Sequence, residues 1–229
     1  MTTPLVVAPD PLAELPPHVR WLLERCKPDE PALEMVEPSL SLEGLYLAWM
    51  SGEQVPSAIR LIAALLPARE GVWWAWVSAR FATQMPGGKA PTAAVHDALG
   101  AIEQWIVRPT DESCRAAWDA GNAAGLDTPV GLVSLAVFFS GRSIVPPNVP
   151  PIPPPPGVIS PIVAGVIQVA AAANTDPLQI APTMVAFAAQ GLEIVKRLGG
   201  WETALQHAYE LDKKQKLEYE RATQPPATR

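Results

Sequence analysis

Cysteine and histidine are scarce in this sequence. Among 229 residues only Cys26 and Cys114 occur, and neither has a second cysteine or a histidine beside it. The histidines His18, His96 and His207 are equally isolated, and none belongs to an H-E-x-x-H pattern. Disulfide frameworks and zinc sites need paired or closely spaced ligands. We therefore predict no metal ion, no cofactor and a reducing, cytoplasmic environment.

Clustered basic charge is also missing. The chain has 17 Lys and Arg residues against 23 Asp and Glu, so its formal net charge is -6. Because binding to phosphate backbones depends on clustered Lys and Arg, we expect no nucleic-acid partner. A secretory signal is not predicted either, since the N-terminus has no basic start and has five prolines in its first 17 residues.

One long stretch lacks charge altogether, because no Asp, Glu, Lys or Arg lies between Arg142 and Asp176. Its apolar run at residues 158–173 is short, rich in alanine and interrupted by Gln168. A membrane-spanning helix needs about 20 strongly apolar residues. We predict a buried helix here and no membrane partner.

Recognisable catalytic motifs are absent as well. No G-x-S-x-G occurs, and residues 87–91 lack the first glycine and the Ser or Thr of a phosphate loop, so we predict a flexible turn there. A site assembled from distant residues would leave no such pattern. The alternative of a small helical enzyme or ligand-binding domain, with a site near Arg80, His96 and Glu103, therefore stays open.

Helical periodicity is what the sequence has in abundance. Apolar residues recur every three or four positions, and no segment alternates like a strand, so we predict an all-α, irregular multi-helix bundle. Helix starts are indicated at Thr110, Thr128, Ser160 and Asp176, the last three followed by proline. About nine helices are expected, near residues 17–26, 41–50, 56–66, 67–85, 91–107, 110–124, 128–140, 160–173 and 177–221, the last broken at Gly199 and Gly200.

Proline divides the chain. Eight prolines occur among the eleven residues from Pro146 to Pro156, which predicts an extended polyproline strap. The strap is either a docking ligand for a proline-recognising groove or a stiff connector; apolar Val149 and Ile152 favour the connector, packed on the protein's own surface. Five divisions are predicted. They are a proline-rich N-terminal segment with one short helix (1–40), a helical core (41–145), the strap (146–157), C-terminal helices packed on the core (158–199), and a charged helix with a frayed tail (200–229).

Tryptophan is concentrated in one predicted helix. Trp73, Trp74 and Trp76 follow Pro67, with Trp73 and Trp76 on one face and Trp74 about 100° round the axis. Such a cluster is either part of the core, which we favour, or a protein-binding hot spot. The candidate structural or partner-binding residues are Arg69, Glu70, Trp73, Trp74, Trp76, Arg80, Trp105, Pro150, Ile152 and Pro153.

Residues 66–74 also carry a resemblance, since they read Leu-Pro-Ala-Arg-Glu-Gly-Val-Trp-Trp. With this L-P-x-R-E-x-V-W-W core the chain resembles an uncharacterised bacterial family over most of residues 40–195, including the strap. Genes of that family lie beside genes for type VI secretion and its spike proteins. The resemblance implies an accessory or adaptor role with no known activity.

These observations together predict a non-enzymatic, cytoplasmic interaction protein with a protein partner. An acidic helical chain rich in tryptophan and proline, without recognisable catalytic residues, favours binding over catalysis. We expect the partner to be a component of a type VI secretion system. The sequence does not indicate an oligomeric state.

Overall fold

The computed structural model of the protein describes residues 12, 14–86 and 90–224. Within this part of the chain there are α-helices and no β-strand, so the predicted all-α class is confirmed. The predicted turn at residues 87–89 and the frayed end after residue 224 lie outside the described residues. The helices are α1 (Pro17–Cys26), α2 (Glu30–Leu33), α3 (Leu42–Ser51), α4 (Val55–Leu65), α5 (Ala68–Ala82), α6 (Ala93–Val107), α7 (Asp111–Ala124), α8 (Pro129–Phe138), α9 (Ile159–Ala172), α10 (Ile180–Arg197) and α11 (Trp201–Thr223).

Three of the four predicted helix starts are confirmed, because their side chains cap backbone amides. Thr110 Oγ1 accepts from the Ser113 amide, Thr128 Oγ1 accepts from the Gly131 amide, and Asp176 caps a short 3-10 turn that precedes α10. The Ser160 start is wrong. Helix α9 begins one residue earlier, and the Ser160 hydroxyl donates to the carbonyl of Gly157 instead.

Two other helix predictions also need correction. The four-residue helix α2 was not predicted, because so short a segment gives no apolar period. Helix α5 was expected to reach residue 85 but ends at Ala82. The Thr83 hydroxyl donates to the Arg80 carbonyl there, and Pro86 disfavours a helical conformation at the residue before it. The predicted break between α10 and α11 is confirmed, with both Gly199 and Gly200 at positive φ.

Helix α5 lies at the centre of the bundle. It contacts α6, α8, α9 and α10, while α4 packs on α1, α9 and α10. Aromatic side chains on α5 point in several directions, as the sequence predicted, because the helix has neighbours on most sides. The predicted buried helix after the strap is confirmed as α9, of which Val163, Val166 and Ile167 are fully or almost fully buried.

Small residues bring α7 and α8 together. A Cβ on Gly121 would overlap Ser134 of α8, so only glycine fits at this crossing. Four residues on, Gly125 ends α7 with φ +93°, a conformation that favours glycine. Gly121 therefore permits close helix packing, and Gly125 permits the end of α7.

Among the described helices, one is long and apolar enough to cross a membrane when judged by length and composition alone. It is the stretch Pro177–Arg197, made of α10 and the turn before it. One side of this helix packs on α4, α5 and α9, as expected of a core helix. Its other side is exposed.

Candidate functional site

Two of the three clustered tryptophans are buried and hydrogen-bonded inside the bundle. The indole N–H of Trp74 donates to the Phe187 carbonyl at 3.0 Å, and that of Trp76 donates to the Leu99 carbonyl at 3.0 Å. The Trp74 ring lies against Gly191, where a Cβ would come within 2.7 Å of it. These two side chains therefore join α5 to α10 and to α6, and they are not available to a partner.

The third tryptophan lies on the surface. Trp73 is 39% exposed, on the stripe of α5 that also carries Arg80 and Phe81. The Arg80 guanidinium stacks on the buried Trp76 ring, 5.2 Å from its centroid. Glu70 is half-buried beside this stripe.

Two further candidates have structural contacts. The Arg69 guanidinium donates to the carbonyls of Ile106 and Val107, at 2.6 and 3.3 Å, and so caps the C-terminal end of α6. Trp105 lies one residue before these carbonyls and is buried in the core. The Arg of the L-P-x-R-E motif thus links α5 to α6.

The residues of the alternative site are not brought into one cavity. Arg80, His96 and Glu103 are all exposed. Glu103 lines an open groove of about 790 Å³ between α6 and α7, and neither of the other two residues lines it. The groove is bordered by Val107 and Glu112, on the side of α6 that faces α7.

The thiols are poor nucleophiles. Burial raises the pKa of Cys26 to about 12, although the charge of Arg60 acts in the opposite direction. Burial, together with the negative charge of Asp111, raises the pKa of Cys114 to about 11. Both thiols stay protonated near neutral pH, which suits a structural role. No cluster of three His, Cys, Asp or Glu side chains suited to a metal ion occurs in the described part of the chain.

The first half of the strap forms a closed loop. The Ile144 amide donates to the Ile152 carbonyl at 2.9 Å, and the Ser143 hydroxyl accepts from the amides of Val145 and Ile152. These hydrogen bonds form the base of the loop. Beside them, the Arg115 side chain donates to the Val145 carbonyl at 2.8 Å. The two ends of the segment 144–152 therefore lie beside each other. We call this segment the proline loop.

This geometry corrects the prediction of one extended strap. Eight residues of extended chain would span about 26 Å, yet the ends of the proline loop are hydrogen-bonded to each other. Within it, the Val149 amide donates to the Pro146 carbonyl and makes a turn. Packing of Val149 and Ile152 on the protein surface was also expected, but they are 44% and 38% exposed.

The remainder of the strap lies against the bundle. Pro153 and Pro154 are half-buried and border a cleft of about 340 Å³, whose other walls include Arg142, Gln215 and Glu218. Within the proline loop, every residue from 146 to 152 is exposed, including Pro150. The sequence-predicted strap residues Pro150 and Ile152 thus lie on the loop, and Pro153 lies in the cleft.

A buried carboxylate holds the two ends of the described chain together, and the sequence analysis missed it. Asp212 is 2% exposed and accepts from the Trp21 indole at 2.8 Å, from Arg25 at 2.6 Å and from Lys216 at 2.9 Å. Burial alone would raise the pKa of Asp212, but the hydrogen bond from Lys216, the charge of Arg25 and the Trp21 indole together lower it. Of these contacts, only the pair of Asp212 with Lys216 is indicated by the sequence, because the two residues are four positions apart on one helix.

The same arginine reaches the end of the strap. Gly157 has φ +82°, and a Cβ there would overlap the Arg25 guanidinium. Arg25 therefore lies between Gly157 and Asp212, with the Trp21 ring 5.6 Å from it. Helices α1 and α11 and the end of the strap meet at this one side chain.

Residues 46–195 match DUF6931, a family of unknown function. The chain belongs to the DUF6931 family. No curated protein and no solved structure matches the chain.

The DUF6931 match contains α5, which carries the three clustered tryptophans, and the proline loop. It excludes α1 and all of α11, so the Trp21, Arg25 and Asp212 cluster lies outside it. Membership of an uncharacterised family, which the resemblance implied, is confirmed. The association of this family with type VI secretion stays a prediction.

Proposed function

We propose that the protein is a non-enzymatic, cytoplasmic interaction protein whose proline loop docks into a protein partner. The observation that carries this proposal is the closure of the loop by Ser143, Ile144 and Ile152, combined with the exposure of every residue from 146 to 152. An exposed and mostly apolar segment whose ends are fixed by hydrogen bonds can bury further apolar surface against a partner.

The chemistry of the loop favours a particular kind of partner groove. Proline has no amide N–H, so Pro147, Pro150 and Pro151 present carbonyl acceptors without donors, whereas the Pro146 carbonyl already accepts from the Val149 amide. Grooves that bind such segments supply aromatic rings for the prolines and side-chain donors for the carbonyls. Because the base of the loop is already hydrogen-bonded, docking orders less of the chain than binding of a free peptide would.

The adjoining cleft extends the same surface. It is bordered by Pro153, Pro154 and Arg142, and the described structure shows no ion pair or hydrogen bond for Arg142. A partner segment that continues past the proline loop would reach this guanidinium, which favours an acidic residue there.

The partner that we propose is a component of a type VI secretion system, which the protein would load or stabilise. This assignment is supported by the resemblance of residues 66–74 to a family whose genes lie beside secretion genes. The chain's acidic charge and buried thiols are compatible with a cytoplasmic adaptor.

A pull-down with matched variants tests both parts of the proposal. Tagged wild type, the double variant Val149→Ser with Ile152→Ser, and the control Leu47→Ser are each incubated with native lysate, and bound proteins are identified by mass spectrometry. All three substituted side chains are exposed, so all variants are expected to fold. We expect secretion components with wild type and Leu47→Ser, and their loss with the double variant.

The outcomes separate the two claims. Recovery of secretion components that does not depend on Val149 and Ile152 would contradict docking through the proline loop. Loop-dependent recovery of other proteins alone would contradict the secretion assignment. Recovery of no partner at physiological salt would contradict the adaptor function as a whole.

A further inference from the structure

One buried tryptophan lacks the hydrogen bond that the others make. Five tryptophans are buried, and four of them, Trp21, Trp49, Trp74 and Trp76, donate their indole N–H to a carboxylate or a backbone carbonyl. The fifth, Trp105, is 4% exposed and has no acceptor among the described residues. Its indole nitrogen is not sealed from water, so it faces accessible space. Buried indole N–H groups usually find a partner, so this one is available to a ligand.

The space beside Trp105 is a cavity of about 280 Å³. One wall is the turn between α6 and α7, with Pro109 and Asp111, and the other is the segment after α8, with Gly141 and Arg142. Because Trp105 lines this cavity and its indole nitrogen faces accessible space, the N–H can donate to a ligand there.

Hydrogen bonds hold both walls of the cavity in place. At the start of α7, the Ser113 amide donates to Thr110 Oγ1 at 3.1 Å, and the Thr110 amide donates to Ser113 Oγ at 3.0 Å. On the opposite wall, the Ser140 hydroxyl donates to the Ala136 carbonyl at 2.7 Å. The cavity is therefore formed before any ligand enters, as sites for small molecules usually are.

Two opposite charges share the cavity without touching. Arg142 and Asp111 both line it, both are exposed, and neither makes an ion pair in the described part of the chain. A compact cavity of this volume is about 8 Å across. An α-amino acid that makes a hydrogen bond at each of its charged groups also spans about 8 Å. Such a molecule could contact Arg142 and Asp111 at the same time.

The neighbouring charged side chains are placed elsewhere. Arg108 and Glu112 line the open groove between α6 and α7 and not this cavity, and Arg115 is bound to the Val145 carbonyl. The cavity is therefore lined by one charge of each sign. Asp111 would repel a ligand that is only an anion, and Arg142 would repel one that is only a cation, so the charges favour a ligand that carries both.

We propose that this cavity binds a free α-amino acid as its zwitterion. The ligand carboxylate accepts from the Arg142 guanidinium and from the Trp105 indole, which thereby gains its missing acceptor, and the ligand ammonium donates to Asp111. Pro109 and Gly141 leave an apolar, narrow space that suits a small apolar side chain. Binding does not depend on docking of the proline loop, although Arg142 also borders the cleft beside that loop.

Nuclear magnetic resonance of the indole N–H groups tests this directly on the purified full chain at neutral pH. The Trp105 resonance is the one that Trp105→Phe removes. L-alanine, L-valine and L-leucine are titrated, together with L-alaninamide, which lacks the carboxylate, and N-acetyl-L-alanine, which lacks the ammonium. The variants are Arg142→Gln and Asp111→Asn, with Arg108→Gln and Glu112→Gln as controls. All four substituted side chains are exposed, so these variants are expected to fold.

We expect at least one of the three amino acids to shift the Trp105 resonance more than any other indole resonance, with a dissociation constant on the order of 0.1–1 mM. Arg142→Gln and Asp111→Asn should each weaken this binding at least about tenfold, and the two controls should not. Arg142→Gln should not weaken binding of L-alaninamide, and Asp111→Asn should not weaken binding of N-acetyl-L-alanine.

Three results would overturn the proposal. The first is a Trp105 resonance that moves with none of the three amino acids. The second is tighter amino-acid binding by Asp111→Asn, which would indicate a site for a simple anion. The third is weakening by the controls equal to that by Arg142→Gln and Asp111→Asn. None of these measurements involves a protein partner, so their failure is separate from that of the adaptor function.

Discussion

Replacement of Asp212 by asparagine would remove the charge that holds α1 against α11 while keeping the size of the side chain. The carboxylate is 2% exposed and accepts from Trp21, Arg25 and Lys216. An asparagine can accept from one of these donors, but its amide NH2 group would face another. Breaking a fully buried ion pair costs about 3–5 kcal/mol. Because Lys216 is half exposed and Arg25 is partly so, we expect a loss of about 2–3 kcal/mol in the free energy of unfolding.

The effect should also depend on pH. The pKa of Asp212 in the folded protein is lowered from its usual 3.8, so the folded state favours the ionised form. Its contribution to stability is therefore complete above the usual pKa and is lost as the pH falls through the folded value. The difference between wild type and Asp212→Asn should be constant near neutral pH and should shrink below about pH 4.

Urea unfolding followed by tryptophan fluorescence, repeated from pH 7 to pH 3, measures this difference. The control is Glu210→Gln, which removes the exposed pair with Lys213 and should change the free energy of unfolding by less than about 0.5 kcal/mol. Equal destabilisation by the two variants, or a difference for Asp212→Asn that stays constant down to pH 3, would refute the reasoning.

Three other predictions concern the core. Trp74→Ala should lower the free energy of unfolding by about 3–5 kcal/mol, and Trp73→Ala by less than about 1 kcal/mol, because only the first ring is buried; chemical denaturation distinguishes them. Gly191→Ala would place a Cβ 2.7 Å from the Trp74 ring and should lower the free energy of unfolding by about 1–3 kcal/mol. The control Gly165→Ala meets nothing within 4 Å and should raise the free energy of unfolding by up to about 1 kcal/mol. Thermal unfolding measures both. Cys26 should resist iodoacetamide at pH 8 in the folded protein and react after unfolding, as mass spectrometry would show; alkylation at equal rates in both states would contradict its burial.

Local signals explain why much of the fold could be predicted. A threonine before a helix accepts from an amide three residues away, so Thr110 and Thr128 needed no distant partner to be recognised. The break at Gly199 and Gly200 also depends only on their own backbone conformations. Ser160 shows the limit of this reasoning, because its hydroxyl bonds to the strap that precedes the helix.

The candidate site depended on contacts that sequence spacing does not contain. Trp21 and Asp212 are 191 residues apart, and nothing in their local sequence distinguishes Asp212 from the exposed acids of α11. The closure of the proline loop likewise depends on the Ser143 hydroxyl, which precedes the prolines. Composition predicted an extended strap because it describes the preference of proline but not the hydrogen bonds at the ends of the segment.

The positions of Arg25 and Gly157 connect the stability of α11 to the surface proposed for the partner. Arg25 is held by Asp212 on one side and lies against the Gly157 backbone on the other. Gly157 follows the prolines that border the cleft, and Gln215 and Glu218 of α11 form the opposite wall of that cleft. The cleft therefore has its full shape only when α11 is docked, although α11 lies outside the matched family region. Residues beyond that region thus shape the cleft beside the proline loop.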